Sequence, residues 1–204
     1  MLLRQIPNLF TLLNLYCGVL AIVNVFTMNM LEEATGIEWQ WSIALILIAT
    51  GFDFIDGLLA RLLNAQSEVG AQLDSLADLV TFGVAPAMLL IDVVLYTHAH
   101  HFRDDTLHQY TVGVIMILPL FAAIRLAIFN VRGSKIEGFS GLPTPAMALV
   151  LLSVVSTIRD KNWETSLNGY LTEPWVMLLV TFLFAMMVLP IPLLALTFFF
   201  DRNK

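Results

Sequence analysis

A chain of 204 residues that is 58% hydrophobic and only 13% charged, with mean hydropathy +0.82, is not built like a soluble domain, which carries about 25% charged residues. Its length leaves no room for a second sizeable domain, and no nucleic-acid signature accompanies the net charge of −6. The single cysteine, Cys17, excludes an internal disulfide framework and reads as a small buried hydrophobe.

Residues 1–204 are therefore expected to form one all-α, polytopic integral-membrane domain. Charge-poor apolar runs of roughly twenty residues mark spanning helices. In chain order they cover 6–28, 39–63, about 75–98, 110–130, 143–158 and 174–200, which predicts six transmembrane helices. The first run is long enough to be a retained helix, with no convincing cleavage site after it. The last contains Pro190 and Pro192, which predict a kink or break near Leu189. Trp39, Trp41, Trp163 and Trp175 fall at predicted helix ends, as interfacial aromatics do.

With six spans, one side of the membrane receives Arg4, Arg61, Arg132, Lys135, Arg202 and Lys204. The other receives Arg103, Arg159 and Lys161, together with most of the loop acids. The positive-inside rule then places both termini, and the loop between the second and third helices, in the cytoplasm of a cell bounded by the inner or plasma membrane. The negative net charge belongs mostly to the outer loops.

That second loop joins an unusual stretch, GFDFIDGLLARLLNAQSEVGAQLDSLADLVTFG, residues 51–83. Asp53 and Asp56 are three apart on the second helix, and Gly57, Ala60 and Asn64 follow at helical spacing. On the third, Gly70, Asp74, Asp78 and Thr81 recur every three or four residues. A hairpin turning around 64–69 brings the two acidic faces together. Convergent carboxylates repel one another and favour hard divalent cations, Mg²⁺ or Mn²⁺, over zinc or copper. Two such ions form the usual clamp for displacement at a phosphoryl centre. Gly57 and Ala60 leave a slot for a flat group, and Arg61 supplies a fixed positive charge for a phosphate oxygen. Acids within membrane helices also mark ion pathways, so a divalent metal-ion transporter is the alternative from another class. A transporter spreads such groups along a conduit, whereas these cluster at one depth.

Read as D-x-x-D-G-x-x-A-R-x8-G-x3-D-x3-D, the positions Asp53, Asp56, Gly57, Ala60, Arg61, Gly70, Asp74 and Asp78 stand in register with a known signature. The chain resembles the CDP-alcohol phosphatidyltransferase family and is expected to share its fold. Outside the signature, IPNLFTLLNLYCG, LDSLADLVTFGVAPA, RLAIFNV and GFSGLPTPA are similar to the phosphatidylserine synthase branch. Asn14 lies in the first of these, where relatives that use other alcohols often carry arginine.

The resemblance implies transfer of a phosphatidyl group from CDP-diacylglycerol to the hydroxyl of L-serine, giving phosphatidylserine and CMP. Glycerol 3-phosphate or inositol is the alternative acceptor. It further implies that Asp53, Asp56, Asp74 and Asp78 hold two divalent cations, and that Asp78 takes the proton of the attacking alcohol. Gly57, Ala60, Arg61, Gly70, Asn8 and Thr11 would contact the CDP-lipid, and members of this branch are usually homodimers.

Several residues have two readings. Asn8 and Thr11 either cap the first helix or touch nucleotide phosphates. Arg125, with Asn130 and Arg132 at the membrane edge, is a candidate for binding serine, although each arginine can instead reach lipid headgroups. Thr144, between two prolines at the start of the fifth helix, suits a helix start and could line the serine pocket. His98, His100, His101 and His108 fall on the side away from the aspartates and read as solvated loop residues. Asp92, about 20 Å along the axis from Asp78 at 1.5 Å per residue, reads as a structural or interfacial acid.

Overall fold

The apolar runs fold as helices because backbone N–H and C=O groups have no water to bind inside a bilayer. The structure is a computed structural model that describes residues 5–35, 39–101, 105–132, 142–159 and 172–188. Every regular element among the described residues is helical. In chain order these are α1 (Ile6–Thr35), α2 (Gln40–Leu62), α3 (Glu68–Asp78), a π-helical stretch (Leu79–Val84), α4 (Ala85–His101), α5 (Asp105–Ile115), α6 (Ile117–Arg132), α7 (Thr144–Ile158) and α8 (Thr172–Val188).

Among the described residues, four helical segments are long and apolar enough to cross a membrane: Ile6–Thr27, Gln40–Leu62, Glu68–Leu95 and Gln109–Val131. Thr144–Ile158 is apolar but shorter, and α8 has 17 described residues. The predicted bend near Leu189 lies outside the described residues, as do Trp163, Lys135 and the histidine side chains.

Prolines account for the departures from six uninterrupted rods. Pro119 has no N–H for the carbonyl of Ile115, and its ring crowds that carbonyl, so the predicted fourth helix divides at Met116 into α5 and α6. Pro86 does the same to the carbonyl of Phe82. There the chain stays helical by widening into the π-helical turn that directly follows Asp78. The third helix begins at Glu68, well before the apolar run that predicted it, because Ser67 caps it: its hydroxyl accepts from the Gly70 N–H at 3.0 Å.

Of these four segments Glu68–Leu95 is the most buried, with 72% of its most apolar stretch covered by the other described helices. Phe82, Leu89, Leu90, Val93 and Val94 pack there against Ile115, Leu118 and Ala122, against Met147, Leu151 and Val155 of α7, and against Val176 and Val180 of α8. Helix α1 runs along α2 and crosses the central segment at Gly18. A Cβ at Gly18 would stand 2.3 Å from Thr81 Oγ1 and 2.9 Å from Thr81 Cα, so only glycine permits this approach. Deeper in the bundle, Asn24 donates to Ser42 Oγ at 2.8 Å, and Ser42 donates to the Ala21 carbonyl at 3.2 Å, which ties α1 to α2.

Asp92 on α4 forms a buried ion pair with Arg159, the residue that ends α7. Its expected structural role thus has a named partner, and Arg159 is not simply a loop charge. Cys17 is buried, as its apolar surroundings predict.

Candidate active site

The acidic residues are brought together by a short turn between α2 and α3. Asn64 adopts a left-handed conformation (φ 47°), which asparagine tolerates better than most residues. The Ala65 N–H bonds the Ala60 carbonyl at 3.0 Å, and the Asn64 N–H bonds the Arg61 carbonyl at 3.3 Å. Together these are the two closing bonds of a Schellman motif, so the end of α2 has its free carbonyls satisfied. Buried Ala65 anchors the turn, and α3 starts three residues later.

The hairpin gathers Asp53 and Asp56 from α2 and Asp74 from α3. Each offers one carboxylate oxygen, and the three oxygens lie within 4.8 Å of one another. Asp56 is buried, while Asp53 and Asp74 are half-buried. Asp78 stands one turn further along α3, buried at 8% exposure, with its carboxyl within hydrogen-bonding reach of Asp53. The four aspartates converge as their spacing predicts, in a group of three plus one.

Two unit charges at that separation repel by roughly 3.5 kcal/mol at an effective dielectric of 20. A fully ionised trio in this pocket therefore calls for cationic charge. Asp74 Oδ1 is buried with no hydrogen-bond partner among the described residues, which is costly for a carboxylate unless something binds it. An all-oxygen donor set with an unsatisfied buried oxygen fits a hard divalent cation.

The surroundings of the trio come from α1, α2 and α3. Gly57, next to Asp56, is exposed with open space where a side chain would project, and Ala60 is half-buried one turn on. Arg61 is exposed in the last turn of α2, where it also complements the helix dipole. A Cβ at Gly70 would lie 3.0 Å from Asn8 Oδ1, so Gly70 lets the first turn of α1 approach the first turn of α3. Asn8 does not cap α1: it sits inside the first turn and donates to Gln5 Oε1 at 2.9 Å.

Two further polar side chains of α1 face the acids. Thr11, at 3% exposure, donates to Asp56 Oδ2 at 2.7 Å. Asn14 is fully buried and donates its amide to Asp78 Oδ1 at 3.4 Å, while its backbone carbonyl accepts from Thr81 at 3.2 Å. Their spacing of three within a mostly apolar stretch of α1 was the available signal. What it could not reveal is that both point at aspartates 45 and 64 residues away.

The candidates for the acceptor pocket separate. Arg125 is half-buried, lies within electrostatic range of Asp78, and donates from Nη1 to the buried Thr144 hydroxyl at 3.4 Å. Asn130 is instead tied to α3 by paired contacts with Ser75, at 2.9 and 3.1 Å. Arg132 ends α6, and its side chain lies outside the described residues.

With this geometry in place, comparison with known proteins decides the family. The model for "CDP-alcohol phosphatidyltransferase" matches residues 4–200. The chain belongs to the CDP-alcohol phosphatidyltransferase family. A CDP-diacylglycerol–serine O-phosphatidyltransferase of Bacillus subtilis (strain 168) is 39% identical over 157 residues, covering 74% of this chain and 76% of that protein. Proteins of the same name from Helicobacter pylori (strain J99) and Mycobacterium tuberculosis (strain H37Rv) are 31% and 32% identical. Those matches take in 78% and 85% of this chain but 59% and 57% of the longer relatives.

Every position of the family signature falls on the α2–α3 hairpin described above. For a CDP-alcohol phosphatidyltransferase, the three-carboxylate trio and the adjacent buried Asp78 form the natural candidate centre. Membership of a transferase family also sets aside the ion-transporter alternative.

Proposed function

We propose that this protein transfers the phosphatidyl group of CDP-diacylglycerol to the hydroxyl of L-serine, forming phosphatidylserine and releasing CMP. The observation that carries the reading is the trio of Asp53, Asp56 and Asp74, with Asp78 beside it, in a chain similar to three bacterial proteins named for that reaction.

Asp53, Asp56 and Asp74, with help from Asp78, would hold two divalent cations, Mg²⁺ or Mn²⁺. Bound there, the ions supply Lewis-acid neutralisation of the diphosphate and of the phosphate that leaves. Gly57 and Ala60 leave room for the nucleotide against α2, with Arg61 and the Gly70 turn at its edge. Asp78 accepts the proton of the serine hydroxyl as that oxygen bonds to the lipid-side phosphorus. The bridging phosphorus–oxygen bond breaks, and its electron pair leaves with the α-phosphate of CMP. A positioned base of this kind contributes about 10²–10⁴-fold. Arg125, steadied by Thr144, is the group for the serine carboxylate. No cysteine, serine or histidine within the signature is poised as a nucleophile, which favours direct displacement.

In this reading residues 1–204 form a single membrane domain of six spans. Both termini and the hairpin face the cytoplasm of the inner or plasma membrane, and two copies associate as a homodimer.

The test is an acceptor panel. Purified protein in detergent receives CDP-diacylglycerol, Mg²⁺ or Mn²⁺, and in turn serine, inositol, glycerol 3-phosphate or no acceptor. CMP release that needs both serine and metal, with phosphatidylserine formed, is the expected result. Release driven only by another alcohol would discard serine and keep the aspartate roles. Release without any acceptor, accompanied by labelled-CMP exchange, would replace direct displacement by a covalent intermediate.

A further inference from the structure

Thr11 sits in the apolar body of α1, a helix that contributes no carboxylate to the centre. A threonine inside a helix ordinarily turns its hydroxyl back to the carbonyl four residues earlier. Thr50, Thr157 and Thr181 do so at 2.9, 2.8 and 2.8 Å. Thr11 departs from this habit. Its hydroxyl is 3.2 Å from the Pro7 carbonyl but 2.7 Å from Asp56 Oδ2, and it has one proton to give. The shorter contact, to an acceptor that carries charge when ionised, takes that proton.

Two consequences follow from that placement. A hydroxyl whose proton lies on Asp56 turns only lone pairs to any other neighbour, so it repels a phosphate oxygen rather than binding it. That removes the direct phosphate contact which the family resemblance implies for Thr11. Meanwhile, one oxygen of Asp56 is fixed by a donor from a different helix, and the same carboxylate shares the pocket with Asp53 and Asp74. Asp74 has no such donor on its buried Oδ1 among the described residues. We infer that Thr11 is a positioning residue for divalent-cation binding: it holds the Asp56 carboxylate in its ligating orientation from outside the metal site. The inference rests on the metal reading proposed above for the trio.

Donors behind a metal-ligating carboxylate typically change affinity by about 10–100-fold when removed. Thr11→Val keeps the shape and β-branching and deletes the donor, and Thr11→Ala serves as a second variant should the valine not fold. Binding of Mn²⁺ to detergent-purified protein is followed by loss of the free-ion electron paramagnetic resonance signal, without substrate. The expected result is an affinity weakened about 10–100-fold in Thr11→Val or Thr11→Ala and returned by Thr11→Ser, which restores the hydroxyl. In turnover assays the metal concentration for half-activity should rise by the same factor. At saturating metal, the KM values for CDP-diacylglycerol and serine should return to those of the parent protein.

Mn²⁺ affinity unchanged in both donor-less variants, with the parent protein binding normally, would overturn the positioning role alone. A raised KM for CDP-diacylglycerol that persists at saturating metal would overturn it in favour of a direct phosphate contact. Absence of Mn²⁺ binding by the parent protein would overturn the metal reading and this inference with it.

Discussion

Replacing Asp78 by asparagine is expected to cut turnover by about 10²–10⁴-fold while leaving binding of the CDP-lipid nearly intact. The substitution suits such a test because the structure can satisfy it. An asparagine at 78 still accepts from the Asn14 amide through its own oxygen, and its NH₂ can donate to Asp53. The buried site therefore keeps its hydrogen bonds while it loses the capacity to take a proton and the one negative charge that Asp78 adds beside the ions. Asp78 also stands outside the trio whose oxygens converge within 4.8 Å, so the loss should fall mainly on the chemical step. Measuring kcat beside the dissociation constant of a CDP-lipid separates the two effects. Near-normal turnover in Asp78→Asn would remove Asp78 as the base.

Asp56→Asn should have the opposite signature. It removes one of the three charges that make the pocket attractive to a cation, although the Thr11 hydroxyl can still donate to the amide oxygen. Metal affinity should drop by more than the about 10–100-fold that accompanies changes behind a ligand. CDP-lipid binding should weaken in parallel, because the nucleotide diphosphate is held through the ions. Raising Mg²⁺ or Mn²⁺ should recover a larger part of the activity than it does in Asp78→Asn, where the base itself is missing. Titrations of metal against CMP release in both variants distinguish these patterns. A metal requirement unchanged by Asp56→Asn would mean that the ions bind elsewhere.

The contrast between these variants reflects what a sequence reveals locally. Asp53, Asp56, Asp74 and Asp78 could be placed on facing helices because their spacing repeats the helical period on both sides of a turn. Asn64 then ends α2 much as a residue able to adopt a left-handed conformation should. The starts of α2 and α7 were legible for similar reasons, the latter from Pro143 and Pro145. The break at Met116 and the wide turn after Asp78 were less apparent, although Pro119 and Pro86 stood in plain view. A proline sets where the ladder of hydrogen bonds fails, and the surrounding packing decides whether the chain splits or widens.

Contacts between distant helices were not legible. Thr11 and Asn14 carry no local sign of Asp56 or Asp78, because nothing in α1 fixes its rotation or depth against the hairpin. The crossing at Gly18, which depends on the missing Cβ, sets both. Asn130 illustrates the same limit. Its position at the membrane edge suggested serine, and nothing local to it announces the contact with Ser75 on α3, 55 residues away. Asp92 and Arg159 are 67 residues apart and were assigned separate roles, whereas packing of α4 on α7 makes them one buried pair.

Whether the hairpin aspartates hold divalent ions can be read from anomalous X-ray scattering by crystals of the protein grown with Mn²⁺ and a CDP-lipid. Manganese peaks ligated by Asp53, Asp56 and Asp74, with the diphosphate of the lipid against them, are the expected result. Well-ordered CDP-lipid with no manganese peak at those three carboxylates would contradict it.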